Sequence, residues 1–389
     1  MKHVTILIIL TIINNFQNVF SLTWPIEGNT NISSTHGEFR AVYRLHQGVD
    51  IPSYNEEVKA AISGEAIFKY DPSPRGNGYY VQLGDYCYFH LMPHSKDIME
   101  DISKYGFAKR PVIEGQVIGR SDTSGTDKPH LHFRTGDINP LLLFSIPDIN
   151  NGVIEKVYFR HGGGLVEIRD GMVFNRANPF PASGEFIVNA YDVSNTGRNH
   201  VNFYRIVSLL DGDVLRDWEF NVSHTAEASL VYSISNPAST RSEFWYRMGD
   251  WSSNEGKHTL TIEGYDLNDK QQRLSATKTI KFIIDYTPPE VVIREPPKII
   301  WVPQSQWPKD AYGNPSYKIP ISYPVEISFD VLDNIAVDDV NVYVDDRLVS
   351  SWQDLESDIF LSTTTACGWK KHTLKISAKD LAGNITDYS

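Results

Sequence analysis

Pro129-His130-Leu131-His132-Phe133 reads as a strand, and the surrounding chain is built in its manner. Side chains at even spacing on a strand point to the same face, so His130 and His132 can converge on one ligand. Upstream lie further short β-like runs separated by Gly, Asn and Asp turns. They are Gly64-Glu65-Ala66-Ile67-Phe68-Lys69-Tyr70, Gly78-Tyr79-Tyr80-Val81-Gln82-Leu83 and Cys87-Tyr88-Phe89-His90-Leu91. One helix over 96–104 interrupts them, with Ile98, Met99 and Ile102 at helical spacing.

Two more β-rich blocks follow. Phe186-Ile187-Val188-Asn189-Ala190-Tyr191-Asp192 opens one and Val325-Glu326-Ile327-Ser328-Phe329-Asp330-Val331 the other. Each continues with a similar strand, Val201-Asn202-Phe203-Tyr204 or Val340-Asn341-Val342-Tyr343. Lys257-His258-Thr259-Leu260-Thr261-Ile262 then recurs as Lys371-His372-Thr373-Leu374-Lys375-Ile376, and Asp266-Leu267 as Asp380-Leu381. One module is used twice. Pro288-Pro289 cannot continue a central strand and marks a stiff boundary between the copies.

The expected fold is therefore mainly β. An antiparallel β-core domain at 22–147 precedes two sandwich modules, 148–287 and 288–389, which resemble bacterial immunoglobulin-like domains. His258 and His372 sit in alternating strands without a nearby ligand partner and read as structural. Neither module shows a ligand cluster, and the proline pair predicts independent units that place the first domain on a surface.

With 41% hydrophobic and 22% charged residues, the 389-residue chain has the makeup of a folded globular protein. Its formal charge of −12, with no basic run, argues against a nucleic-acid partner. Two cysteines are too few for a disulfide scaffold or a cysteine zinc finger. The 12 histidines are the chemical resource. Residues 1–21 combine a short positive start, an apolar run and a polar end, which predicts an export signal cut after Ser21. The apolar run is about half the ~20 residues a spanning helix needs, so the mature chain is expected outside the cell's interior, without an integral membrane span.

Three histidine signals stand in a fixed order. Arg44-Leu45-His46-Gln47-Gly48-Val49-Asp50 holds a His-x-Gly-x-Asp, in which His46 and Asp50 can converge and Gly48 permits a close backbone approach. Tyr88-Phe89-His90-Leu91 is the second, and the strand with His130 and His132 is the third. Two imidazoles and one carboxylate with a fourth position open suit a catalytic zinc, whose bound water has a pKa near 7. The two remaining histidines are then free to handle protons. No His-Glu-x-x-His occurs, which excludes a zincin-type helix site.

These motifs, in this order and spacing over roughly 40–145, resemble the lysostaphin/LytM-type zinc endopeptidases of bacterial cell walls, which have a duplicated hybrid motif fold. Arg110-Pro111-Val112-Ile113-Glu114-Gly115-Gln116-Val117-Ile118-Gly119 resembles the family's Gly-x-x-Ile-Gly segment. The resemblance implies His46, Asp50 and His132 as ligands of one Zn2+, with His130 as general base and His90 as donor to the oxyanion. It also implies a metalloendopeptidase acting on peptidoglycan cross-links or stem peptides, which the export signal places outside the cell's interior; the chain is expected to be a monomer. Lys128 departs from the Gly that commonly precedes Pro-His, and 94–109 is longer than the family's usual segment there. Relatives that have lost ligands act as silent binding or activator proteins; here every ligand position is filled. A sugar-phosphotransferase component of the same fold is the other reading, and the export signal argues against it.

His94 lacks the Tyr-x-His-Leu context, and His161-Gly162-Gly163-Gly164 lacks a Gly-x-Ser-x-Gly elbow, so it reads as a turn between strands. Cys87, beside His90 in its strand, reads as a free thiol and not as a partner of Cys367.

Overall fold

The computed structural model describes residues 22–41, 44–73, 76–222, 228–299, 309, 311–313, 323–355, 358–368 and 371–389. The segment 1–21, read as an export signal, lies outside the described residues. The described chain is mainly β, almost wholly antiparallel. No described helix is long and apolar enough to cross a membrane.

The N-terminal part contains β1 (Phe39–Ala41), β2 (Arg44–Leu45), β3 (Val49–Pro52), β4 (Glu57–Lys59), β5 (Gly64–Asp71), β6 (Gly78–Leu83) and β7 (Tyr86–Met92). After α1 (Lys96–Tyr105) come β8 (Phe107–Val112), β9 (Val117–Ser121) and β10 (His130–Thr135). One sheet runs β3-β10-β7-β6-β5-β8, and β9 pairs with both β4 and β7. On β10 the alternation is complete: Leu131, Phe133 and Thr135 are buried, while His130, His132 and Arg134 take the other face. Phe133 packs against Tyr88 at 5.1 Å and Phe144 at 5.7 Å between ring centres, so the apolar face of β10 anchors the core beneath the histidines. Truncating such a side chain costs about 3–5 kcal/mol.

Helix α1 ends at Gly106, whose φ of 81° terminates it with a bond from its N–H to Ile102 O. Ile98 is buried and Ile102 packs on the core, but Met99 is 45% exposed, which corrects the expectation of a three-residue apolar face. The buried stripe is only one side chain wide. Arg110 on β8 secures the adjoining flank by bonding Asp97 and Asp101.

Two sheets follow, joined across one core. Val153–His161, Gly164–Glu167, Ser183–Val193, His200–Val201 and Trp245–Ser252 form the first; Met172–Phe174, Arg205–Leu210, Asp213–Glu219, Gly256–Asn268 and Gln271–Ile284 the second. Phe186 and Val188 from one meet Leu260, Ile262 and Ile280 from the other. The turn at Gly162–Gly163 joins two paired strands, as read for His161. A second, smaller pair packs around Phe329, Val340 and Ile376, with strands Glu290–Ile299, Tyr323–Leu332 and Asp358–Cys367 facing Val337–Val344, Arg347–Gln353, Leu374–Asp380 and Ile385–Tyr388. Cys87 and Cys367 are both free.

The repeat is imperfect. Val201 ends a two-residue strand and 202–204 is not strand, because its groups are used elsewhere. The Asn202 amide donates to His36 O and the Phe203 N–H to the Tyr246 hydroxyl. The second copy's strand begins at Leu374, leaving Lys371, His372 and Thr373 before it. Each of the paired histidines is held by an aspartate. His258 Nδ1 lies 2.8 Å from Asp211 and His372 Nδ1 2.7 Å from Asp345. In each, the same aspartate also accepts the next backbone N–H, from Thr259 or Thr373. Both aspartates sit in left-handed turns, with φ of 54° and 51°. Their role is structural, by closing the hairpin turn opposite.

The larger sandwich is not an independent unit. Phe39 and Leu45 belong to its core, and Tyr232 donates from its hydroxyl to Gly37 O. Asn195 bonds the backbone of Thr30 and Ile32. Gly37 adopts φ +91°, and a Cβ there would lie 2.2 Å from Phe220. Gly37→Ala therefore combines left-handed strain with overpacking and should lower stability by roughly 2–4 kcal/mol. Urea unfolding measures this, and an unchanged midpoint would show that the segment does not dock on the sandwich.

Candidate metal centre

The register of β10 builds the site. Asp50 on β3 is the direct cross-strand partner of His132, and Phe89 on β7 is the partner on the other side. His46 precedes β3 by a tight bend through Gly48, at φ +143°. A Cβ on Gly48 would meet Phe133 O at 2.5 Å and the His132 ring at 3.1 Å, so the close approach is to β10 itself. Glycine is needed for His46 to fold back over the strand pair.

Three atoms converge there. His46 Nε2 is 3.1 Å from Asp50 Oδ1 and 2.9 Å from His132 Nδ1, and the latter is 2.8 Å from the same carboxylate oxygen. The Nδ1–H of His46 donates to Thr35 O at 2.8 Å, which assigns its proton and leaves a lone pair on Nε2. A proton on His132 Nδ1 satisfies one of these contacts only. The Nε2 lone pair of His46 still faces a carboxylate oxygen, an arrangement that a shared cation resolves. Ligands about 2.0–2.1 Å from a tetrahedral zinc stand roughly 3.3 Å apart, close to the separations seen. The donor set fits that metal.

Electrostatics favour the same occupant. Burial pushes His46 down to about 4, so it is neutral and able to ligate at neutral pH. Burial alone would raise Asp50, but His46 and His132 beside it hold the carboxyl well below its usual range. Arg40 donates to Asp50 Oδ2 at 3.1 Å, leaving Oδ1 for the convergence point. Arg40 also bonds the buried Glu38, whose pKa burial raises to about 7. Glu38 accepts from Ser34 Oγ and Thr35 N–H. This support from 34–40 went unread in the sequence. Its signal is the polar run Ser33-Ser34-Thr35-His36 ahead of Glu38 and Arg40, upstream of the histidine motif.

His90 and His130 flank the centre with ring centres 4.7 Å apart. His90 has φ 64°, a left-handed residue within a strand. Adjacent strand residues normally face opposite ways, yet Phe89 and His90 both line the cleft while Tyr88 and Leu91 are buried. The kink causes it. The His90 Nδ1–H donates to Ser124 O at 2.8 Å, and the His130 Nδ1–H to Lys128 O at 2.9 Å. Both rings thus carry an Nε2 lone pair, and His130 Nε2 is 3.7 Å from Asp50. Burial, with His130 next, lowers His90 to about 4. Neutral His90 accepts a proton before it can donate one. His94 is exposed and lies outside the cleft lining.

The cleft is about 1460 Å³ and contains all five residues singled out from the sequence. Asn199 and Arg241 of the larger sandwich form part of its wall. That sandwich therefore borders the site, in line with the alternative expectation that the first module packs over the groove and against a role confined to placing the domain on a surface.

Comparison with known proteins agrees on the N-terminal part. A search of the curated proteins finds no match. Among solved structures, fibronectin(III)-like modules of CbhA from Clostridium thermocellum match at 10% identity and TM-score 0.20, over 60% of this chain and 90% of theirs. Dimeric latent PorU from Porphyromonas gingivalis matches at 12% identity and TM-score 0.20, over 92% of this chain and 32% of its own. The chain thus spans about a third of PorU. Residues 44–140 match Peptidase family M23, an interval holding His46, Asp50, His90, His130 and His132. The likeness to Peptidase family M23 thus covers the segment 44–140 of a longer, mainly β chain.

Proposed function

We propose that this chain is an exported zinc metalloendopeptidase that hydrolyses peptide bonds in the cross-links or stem peptides of bacterial peptidoglycan. The observation that carries the reading is the convergence of His46 Nε2, Asp50 Oδ1 and His132 Nδ1 within 2.8–3.1 Å of one another in a family M23 domain. Arg44, Lys128, Arg134 and Arg241 line the cleft, a cationic setting suited to stem peptides that carry free carboxylates.

Held by these residues, zinc would polarise the scissile carbonyl and lower the pKa of a water to about 7. The chain's own groups supply the rest. His130 offers its Nε2 lone pair to the water's proton, its ring oriented by Lys128 O. His90, fixed by Ser124 O, is neutral at rest; as negative charge develops beside it its low pKa rises, and it takes a proton from solvent on Nε2 and donates that hydrogen to the oxyanion. Arg40 keeps Asp50 ionised and aimed.

Incubation with purified peptidoglycans of different cross-bridge type, followed by mass spectrometry, should release fragments from at least one. Failure of the zinc-loaded protein to cut any of them would contradict the proposal. His46→Ala and Asp50→Ala should each lose stoichiometric zinc, measured by metal analysis after dialysis; retention by both would refute the ligand set. His90→Ala and His130→Ala should keep the metal and lose ~10²–10⁴-fold in kcat/KM. Near-normal turnover in either would remove the role given to that residue.

A further inference from the structure

A second group of carboxylates lies at the joint between the two sandwiches, remote in sequence from the histidine cleft. Asp285 follows the last strand of the larger sandwich, Asp333 follows the strand Tyr323–Leu332, and Asp380 ends Leu374–Asp380. Their oxygen atoms lie within 4.8 Å of one another. This corrects the expectation that the modules hold no ligand cluster.

The donors that reach these carboxylates are neutral amides. Thr287 N–H donates to Asp285 Oδ1, Ile335 and Ala336 N–H to Asp333 Oδ1, and Asn384 N–H and Nδ2 to Asp380. Asp285 is 0% exposed, yet its Oδ2 has no hydrogen-bond partner among the described residues; Asp333 Oδ2 is also unpartnered. A buried, unpartnered carboxylate oxygen aimed at two other carboxylates is costly without a cation. Burial and mutual repulsion raise both Asp285 and Asp380, Asp285 to about 6.

The repeat supplies an internal comparison. Asp266, the counterpart of Asp380 in the first copy, sits near Asp148 and Asp192, whose pKa values are raised by burial and by Asp266 beside them. There Arg273 fills the gap: its guanidinium bonds both oxygens of Asp266 and reaches Asn150 O and Asn151 Oδ1. At the second joint no arginine or lysine bonds the three aspartates among the described residues, and a further carboxylate, Glu255, stands beside Asp285.

We propose that Asp285, Asp333 and Asp380 form a calcium site that fixes the joint between the two sandwiches. The donors are all hard oxygens, which selects against zinc. Calcium–oxygen distances of 2.3–2.6 Å allow ligands up to roughly 5 Å apart around one ion, which matches the spread of these oxygens. Magnesium needs shorter, near-octahedral geometry and keeps its water. Asn384 Nδ2 donates to both Asp285 O and Asp380 Oδ2, tying the second sandwich's last turn to the end of the first. An ion here would lock that contact.

Calorimetric titration of calcium chloride into the full chain, with zinc retained, should give one site with a dissociation constant of about 1 mM or tighter. Asp333→Asn keeps the Oδ1 that accepts Ile335 and Ala336, so it should fold; its affinity should fall roughly tenfold or more. Asp285→Asn should do the same. Calcium should raise the melting midpoint of the unaltered chain and leave both variants unmoved. Without calcium the variants should melt at or above the unaltered chain, since an amide relieves the repulsion. Absence of binding at about 5 mM calcium, unchanged affinity in both variants, or equal affinity for magnesium would each overturn the proposal.

Discussion

The pairing of β3 with β10 is the constraint from which the site follows. Asp50 opposite His132 places a carboxylate and an imidazole on one face, while Val49, Ile51, Leu131 and Phe133 turn into the core on the other. A slip of one residue would exchange these faces, burying two histidines and exposing Phe133. The burial of Phe133 against Tyr88, Phe144 and Trp24 therefore stabilises the strand and holds Asp50 and His132, the proposed ligands, in register at once.

Much of this was legible in the sequence. Even spacing on a strand brings His130 and His132 to one face, and the His-x-Gly-x-Asp motif places His46 near Asp50 once Gly48 permits the bend. The β-rich character of the first domain and its helix α1 follow from alternation, helical spacing and turn residues. What remained hidden depends on contacts between distant segments. No local pattern shows that Arg40 reaches Asp50, or that Ser124 O orients His90. The left-handed kink at His90 breaks the alternation that strand reading assumes, and so Phe89 joins the cleft. Asp211 and Asp345 lie far in sequence from the histidines they hold, so these structural contacts were not legible either.

The segment 30–45 joins the domain to the larger sandwich. One side of it presents Thr35 O to His46 and Arg40 to Asp50, and the other presents Gly37 and Phe39 to the sandwich core. Metal ligands gain rigidity when their supporting groups are themselves packed. The sandwich thus stabilises the support of the site as well as forming part of the cleft wall. Side chains also cross the second joint, where Asn384 donates to Asp285 O and Asn175 to Ala382 O.

The central claim is that His46, Asp50 and His132 hold a single zinc ion. X-ray absorption spectroscopy of the purified, metal-replete chain tests it most directly. The account predicts one zinc per chain with two imidazole nitrogens, one carboxylate oxygen and a further light atom at about 2.0–2.2 Å. A shell without imidazole, or a chain that takes up no zinc, would contradict it.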